Sequence, residues 1–164
     1  MVVASAPFVL LDDARRSDPS PARLYKAPHS TIIATNTVEL ARAFEEVQVA
    51  QQAGRHVAGF LSYEAGFALE PKLADKLAGR RIPTPLCWFG IFDGYTEIAA
   101  DDVPGLLPKP DGSWLGTVRP SISRADYGEA FDAVEDYIEA GDIYQANLTF
   151  RAGARYAGNP LALY

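Results

Sequence analysis

The side chains best suited to chemistry in this chain stand in one row. Between Gly141 and Arg151, polar residues fall on every second position, as Gln145, Asn147, Thr149 and Arg151, with Tyr144, Ala146, Leu148 and Phe150 between them. A period of two is that of a β-strand, whose successive side chains point to opposite faces. One face is then apolar core, and the other is a row of two amides, a hydroxyl and a guanidinium. Gln and Asn each donate and accept hydrogen bonds, so the row can line a polar binding cavity. It can equally be the wet face of an antiparallel sheet, and periodicity does not separate the two. The candidates for substrate binding are these four residues, and no residue in the chain is assigned a catalytic role.

The element that would position the row precedes it directly. Ser123, with Asp126 three residues on, opens a helix in the manner of a capping box. Tyr127, Ala130, Phe131, Val134, Tyr137 and Ile138 recur at helical spacing, opposite Glu129, Asp132, Glu135, Asp136 and Glu139, and Gly141 closes the helix. At 1.5 Å per residue it is roughly 25 Å long. The acidic row reads as a solvated face.

Upstream, Phe8–Leu11 reads as a strand and 14–21 as a loop punctuated by Pro19 and Pro21. Arg23–Lys26 and Thr31–Ala34 read as a hairpin around Pro28-His29. A helix is expected over Thr37–Ala53, with Asn36 and Glu39 at its start and Gly54 past its end. Val57–Tyr63 is nearly all apolar, as in a strand covered on both faces. A short helix is expected around Pro71–Leu77, then a strand at Leu86–Phe92. Asp93-Gly94 signals a hairpin returning through Tyr95–Ile98. Asp101–Gly112, with three prolines and two glycines, is the expected linker, followed by a short strand near Trp114–Val118. Strands and helices mixed in this order favour an α+β (mixed α/β) fold with antiparallel pairs.

Other residue types capable of chemistry do not assemble into a motif. His29 and His56 have no second histidine or cysteine at ligand spacing, so no metal site is expected. Glu64 and Glu70 flank a turn and read as solvated carboxylates. Cys87, the sole cysteine, lies in the run Leu86-Cys87-Trp88-Phe89, where a buried inert thiol is expected. It also excludes an internal disulfide and points to a reducing, cytoplasmic compartment. The glycines form no phosphate-cradling pattern.

Composition narrows the remainder. A hydrophobic fraction of 48% over 164 residues supports a core. A net charge of −6, with only the Arg15-Arg16 and Arg80-Arg81 pairs as basic runs, leaves no footprint for nucleic acid. No apolar run approaches the roughly 20 residues that span a bilayer, and Met1–Leu11 lacks the basic start of a signal peptide. Neither nucleic acid nor membrane is therefore an expected partner. A small dianionic ligand would need a focused positive site or a metal, and none stands out.

The stretch Tyr137-Ile138-Glu139-Ala140-Gly141-Asp142-Ile143-Tyr144-Gln145-Ala146-Asn147-Leu148-Thr149-Phe150-Arg151 resembles the opening of the chorismate-binding region shared by anthranilate, aminodeoxychorismate and isochorismate-type synthases. The helix start Ser123-Arg124-Ala125-Asp126-Tyr127 is similar to the same family. So are Gly59-Phe60-Leu61-Ser62-Tyr63-Glu64-Ala65-Gly66 and Trp88-Phe89-Gly90-Ile91-Phe92-Asp93, though less specifically. Asn147 after Tyr144-Gln145 resembles the aminodeoxychorismate branch, and the lack of a clear Leu-Leu-Glu-Ser element weighs the same way.

The resemblance implies an α/β/β/α sandwich with largely antiparallel sheets. It divides the chain into an N-terminal component I domain, 1–112, and the start of a chorismate-binding domain, 113–164, cut short. It also implies an activity: chorismate and ammonia, the latter from a glutamine amidotransferase subunit (component II), give 4-amino-4-deoxychorismate for p-aminobenzoate and folate. Mg²⁺ is the implied cofactor. In such enzymes the lysine, the acid/base glutamate and the metal-holding glutamates lie in the later half, so this chain is expected to be inactive alone. Two other readings stay open: the tryptophan branch (anthranilate synthase component I), and a non-catalytic module that binds a ligand such as an aromatic amino acid.

Overall fold

The computed structural model describes residues 6–15, 17–76 and 82–164. Residues 16 and 80–81 of the two basic pairs, the start of the N-terminal stretch and the Leu77 end of the expected short helix lie outside them. The chain divides into two compact units, Met1–Leu106 and Leu107–Tyr164.

In chain order the first unit carries β1 (Phe8–Leu11), β2 (Ala22–Lys26), β3 (Ser30–Ala34), α1 (Thr37–Gln52), β4 (His56–Leu61) and α2 (Ala65–Leu69). A 3-10 turn over Pro71–Lys76, β5 (Cys87–Phe92), β6 (Thr96–Ile98), a second 3-10 turn and α3 (Val103–Leu106) complete it. Two antiparallel three-stranded sheets form, ordered β1-β2-β6 and β3-β5-β4.

The alternation along β5 explains how these pieces stack. Cys87, Phe89 and Ile91 point to a core shared with Ile32 and Ala34 of β3 and with Leu40, Ala43, Phe44 and Val47 of α1. Phe92, on the other parity, packs with Ala58 of β4 and with Tyr25 and Val9 of the first sheet. The β3-β5-β4 sheet therefore has a helix on one face and a second sheet on the other, an α/β/β stack. The mixed α+β fold with antiparallel sheets is what the sequence led us to expect. Gly59 is required here: a Cβ would fall on the Trp88 carbonyl and 2.7 Å from the Phe89 Cα across the ladder.

Helix α1 begins and ends as its caps dictate. Asn36 Oδ1 accepts from the Glu39 amide at 3.0 Å, while the Glu39 carboxylate reaches back to the Thr35 amide at 2.7 Å and hydroxyl at 2.8 Å. Those bonds, the Thr35 amide first, hold the Glu39 carboxyl below its ordinary range. Gly54, at φ +75°, closes the other end.

Three expectations for this unit are corrected. The β2 and β3 segments do not form a hairpin: Pro28 has no N–H to donate, and the His29 amide turns instead to the Ile91 carbonyl at 2.8 Å, starting β3 against β5. Asp93-Gly94 is not a hairpin turn either. A two-residue type I′ turn needs positive φ at both positions, and neither residue has it. The returning strand, β6, pairs with β2 in the other sheet. Finally, β4 is not covered on both faces, since Phe60 and Leu61 are nearly half exposed.

The second unit holds β7 (Trp114–Leu115), β8 (Arg119–Pro120), α4 (Arg124–Glu139), β9 (Ala152–Gly153), β10 (Tyr156–Ala157) and a 3-10 turn, Pro160–Ala162. β7 pairs with β10 and β8 with β9, both antiparallel, so 114–120 and 152–157 form one ribbon. Three residues separate Leu115 from Arg119, but two separate Gly153 from Tyr156. The extra residue makes a β-bulge, which bends a ribbon and re-aims its side chains. The expected linker 101–112 is helical at its start, where Ala100–Asp102 and α3 lie.

Candidate functional site

Helix α4 starts at Ser123, whose Oγ accepts from the Asp126 amide at 3.1 Å and donates to its carboxylate at 2.8 Å. It stops at Gly141, with φ +79°. Two of the last-turn carbonyls are satisfied there: the Gly141 amide donates to Ile138 O at 3.1 Å and the Asp142 amide to Tyr137 O at 2.9 Å. The Gly-Asp of the recognised stretch is thus a Schellman stop, with glycine in the left-handed position that favours it. Its task is to turn the chain out of the helix and aim the amide-rich segment beyond it.

That segment, 142–151, is not a strand among the described residues, which corrects the expectation for it. A strand needs a partner across the ladder, and pairing resumes only at Ala152. Gln145, Asn147, Thr149 and Arg151 are all exposed. Tyr144, expected as core, is 93% exposed, so the alternation does not make a buried face here. Leu148 is half-buried. Phe150 meets Tyr127 edge to face with centroids 5.7 Å apart, which ties the end of the segment back to α4. No residue of α4 is buried. Its apolar stripe is open, with Tyr137 54% exposed.

A second cluster joins residues far apart in sequence. At one corner of the β3-β5-β4 sheet, His29 Nε2 lies 2.7 Å from Asp93 Oδ2 and 3.1 Å from Arg55 Nη1, and Arg55 also pairs with Asp93. All three side chains are well exposed. The cluster locks the start of β3, the start of β4 and the end of β5 together. Nothing in the spacing of 29, 55 and 93 announces it. It borders an open groove of about 650 Å³ with Glu45, Glu46 and Val49 of α1 on its far wall.

The remaining candidates behave as solvated or structural groups. His56 packs edge to face on Tyr95, centroids 5.5 Å apart. Glu64 precedes α2 without capping it, and the Glu70 carboxylate accepts from the Lys72 amide. Cys87 is fully buried, and burial pushes its thiol up. Among the described residues, no three carboxylate, imidazole or thiol groups converge where a metal ion could sit. Nor is any helix among them long and apolar enough to cross a membrane.

An α/β/β unit, a capped amphipathic helix and a Gly-Asp stop leading into an amide-rich segment define a class. The chain belongs to the family of chorismate binding enzymes, which matches it over residues 6–164. It is similar to aminodeoxychorismate synthase component 1 of Escherichia coli (strain K12), at 36% identity over 52 residues, which is 32% of this chain and 12% of that protein. It is also similar to aminodeoxychorismate synthase component 1 of Klebsiella aerogenes, at 44% over 41 residues, 25% of this chain and 9% of that protein. The matched stretches thus span a small part of those relatives. No solved structure matches the chain.

Proposed function

We propose that the protein carrying this chain is the component of aminodeoxychorismate synthase that converts chorismate and ammonia to 4-amino-4-deoxychorismate. In that reaction a ring C–N bond forms, the ring C–O bond breaks and the hydroxyl leaves as water. The observation that carries the reading is membership of the chorismate binding enzymes across residues 6–164, joined to two curated relatives that share one name. The pathway is then p-aminobenzoate and folate synthesis, in the cytoplasm, with ammonia delivered by a glutamine amidotransferase subunit.

Mg²⁺ is the cofactor of this proposal; when bound, it would neutralise a substrate carboxylate while an acid helps expel the hydroxyl. The described residues offer no group of ligands that fits the ion, so no step is assigned to it. The part given to this chain is structural and, at most, binding. Gln145, Asn147, Thr149 and Arg151 present amide, hydroxyl and guanidinium donors, and the Gly141 stop fixes where they begin. The 164-residue chain alone is expected to be inactive.

The test is genetic. The full gene should rescue a p-aminobenzoate auxotroph, and rescue of only a tryptophan auxotroph would replace this reading with anthranilate synthesis. Purified 1–164, given chorismate, ammonium and Mg²⁺, should release no product. Measurable turnover would put the chemistry in this chain.

A further inference from the structure

We propose that the bulge in the 114–157 ribbon is an anion site that takes a carboxylate carried on a flat ring. This inference does not rest on the reaction proposed above.

Three independent observations support it. First, the bulge opens a cavity of about 520 Å³, lined by Trp114, Thr117, Arg119 and Arg155 over glycines, a volume within the range for small-molecule pockets. Second, charge is segregated. Segments 113–120 and 151–158 carry Arg119, Arg151 and Arg155 and no Asp or Glu, in a chain of net charge −6. Among the described residues none of these guanidiniums has an acidic partner. Third, the bulge holds the cavity open: the Gly116 amide donates to Arg155 O at 2.8 Å. A Cβ on Gly116 would come 3.0 Å from the Trp114 ring and 3.3 Å from that carbonyl, so a larger residue would crowd the indole.

The chemistry of the ligand is set by these groups. Guanidinium forks bind carboxylate or phosphate through paired charge-assisted hydrogen bonds. The indole of Trp114, 51% exposed, offers an apolar face for offset stacking of a planar ring. A ring carboxylate uses both features, whereas free phosphate uses only the first.

The test tracks the two indole N–H resonances of the ¹⁵N-labelled full chain during titration with benzoate, cyclohexanecarboxylate and inorganic phosphate. Benzoate should shift the Trp114 signal saturably and leave Trp88 in place, and it should bind more tightly than the other two. Arg119→Gln or Arg155→Gln should each weaken benzoate about tenfold, the effect of losing one hydrogen bond to a charged group. Arg119→Lys and Arg155→Lys, which keep the charge but lose the fork, should fall between. If a Gln variant loses its dispersed spectrum, the Lys variants decide. The proposal fails if Trp88 and Trp114 shift alike, if the arginine variants bind as the parent does, or if phosphate binds as well as benzoate.

Discussion

The amide of Asp142 closes back onto the carbonyl of Tyr137 at 2.9 Å, with Gly141 between them at φ +79°. The same closure ends α1, where the Arg55 amide donates to Ala50 O at 3.0 Å across Gly54 at φ +75°. Both long helices are thus stopped by one device, a glycine in the left-handed region. In each case the residue released is put to use: Arg55 enters the His29–Asp93 cluster, and Asp142 starts the amide-rich segment.

That device predicts opposite signs for two glycine substitutions, one just past the end of α4 and one inside it. Gly141→Ala forces a Cβ into the left-handed region and should destabilise the unit by about 1–2 kcal/mol. Gly128→Ala lies in the interior of α4, where a Cβ meets nothing within 4 Å, and should stabilise by about 0.5–1 kcal/mol. Urea denaturation of the two variants measures both. Equal signs would show that Gly141 is not held in that conformation in solution.

Helix limits were legible because caps and periodicity are local. Asn36 and Ser123 each bond the amide three residues on, and those signals lie within a few residues of sequence. Strand partners were not legible, since pairing is settled by which backbone groups remain free. Asp93-Gly94 has hairpin composition, yet Asp93 is drawn to His29 and Arg55, and β6 joins β2. The candidate row shows the same limit: its alternation is real in the sequence, but a strand exists only beside a partner. The arginines at the bulge went unseen for a related reason, because the register that gathers 119 and 155 is long-range.

Cys87 lies in the core between α1 and its sheet, with its thiol pushed up by burial. A thiol-specific reagent should therefore leave it untouched in the folded chain and label it promptly in denaturant. Cys87→Ser should destabilise by about 1–3 kcal/mol by burying a hydroxyl. Rapid labelling of the folded protein would contradict the burial.

Ser62 Oγ is shielded from water and has no hydrogen-bond partner among the described residues. An unpaired buried hydroxyl costs about 1–3 kcal/mol, so Ser62→Ala should raise stability by part of that amount. A loss on substitution, read from the same denaturation curves, would mean that the hydroxyl is bonded in solution.

The loop after β1 is organised by Asp13, whose carboxylate accepts from the Arg15 guanidinium at 2.6 and 2.9 Å and from the Ser20 amide at 2.9 Å. The Arg15 fork, then the backbone amides, hold the Asp13 carboxyl well below the usual carboxylate range, and the same pairing raises Arg15. A carboxyl depressed by folding stabilises the fold above its unfolded pKa, and that contribution is lost as the pH falls through the folded value. Asp13→Asn should therefore lower the unfolding midpoint at neutral pH. Its deficit should shrink as the pH falls below an ordinary aspartate's pKa of about 3.9 and disappear once Asp13 is protonated in both states. Added salt should narrow the gap at neutral pH, because the pair is on the surface and screened. Midpoints of parent and variant measured across that range test the claim; a deficit that grows on acidification would show that Asp13 is not held as the paired anion.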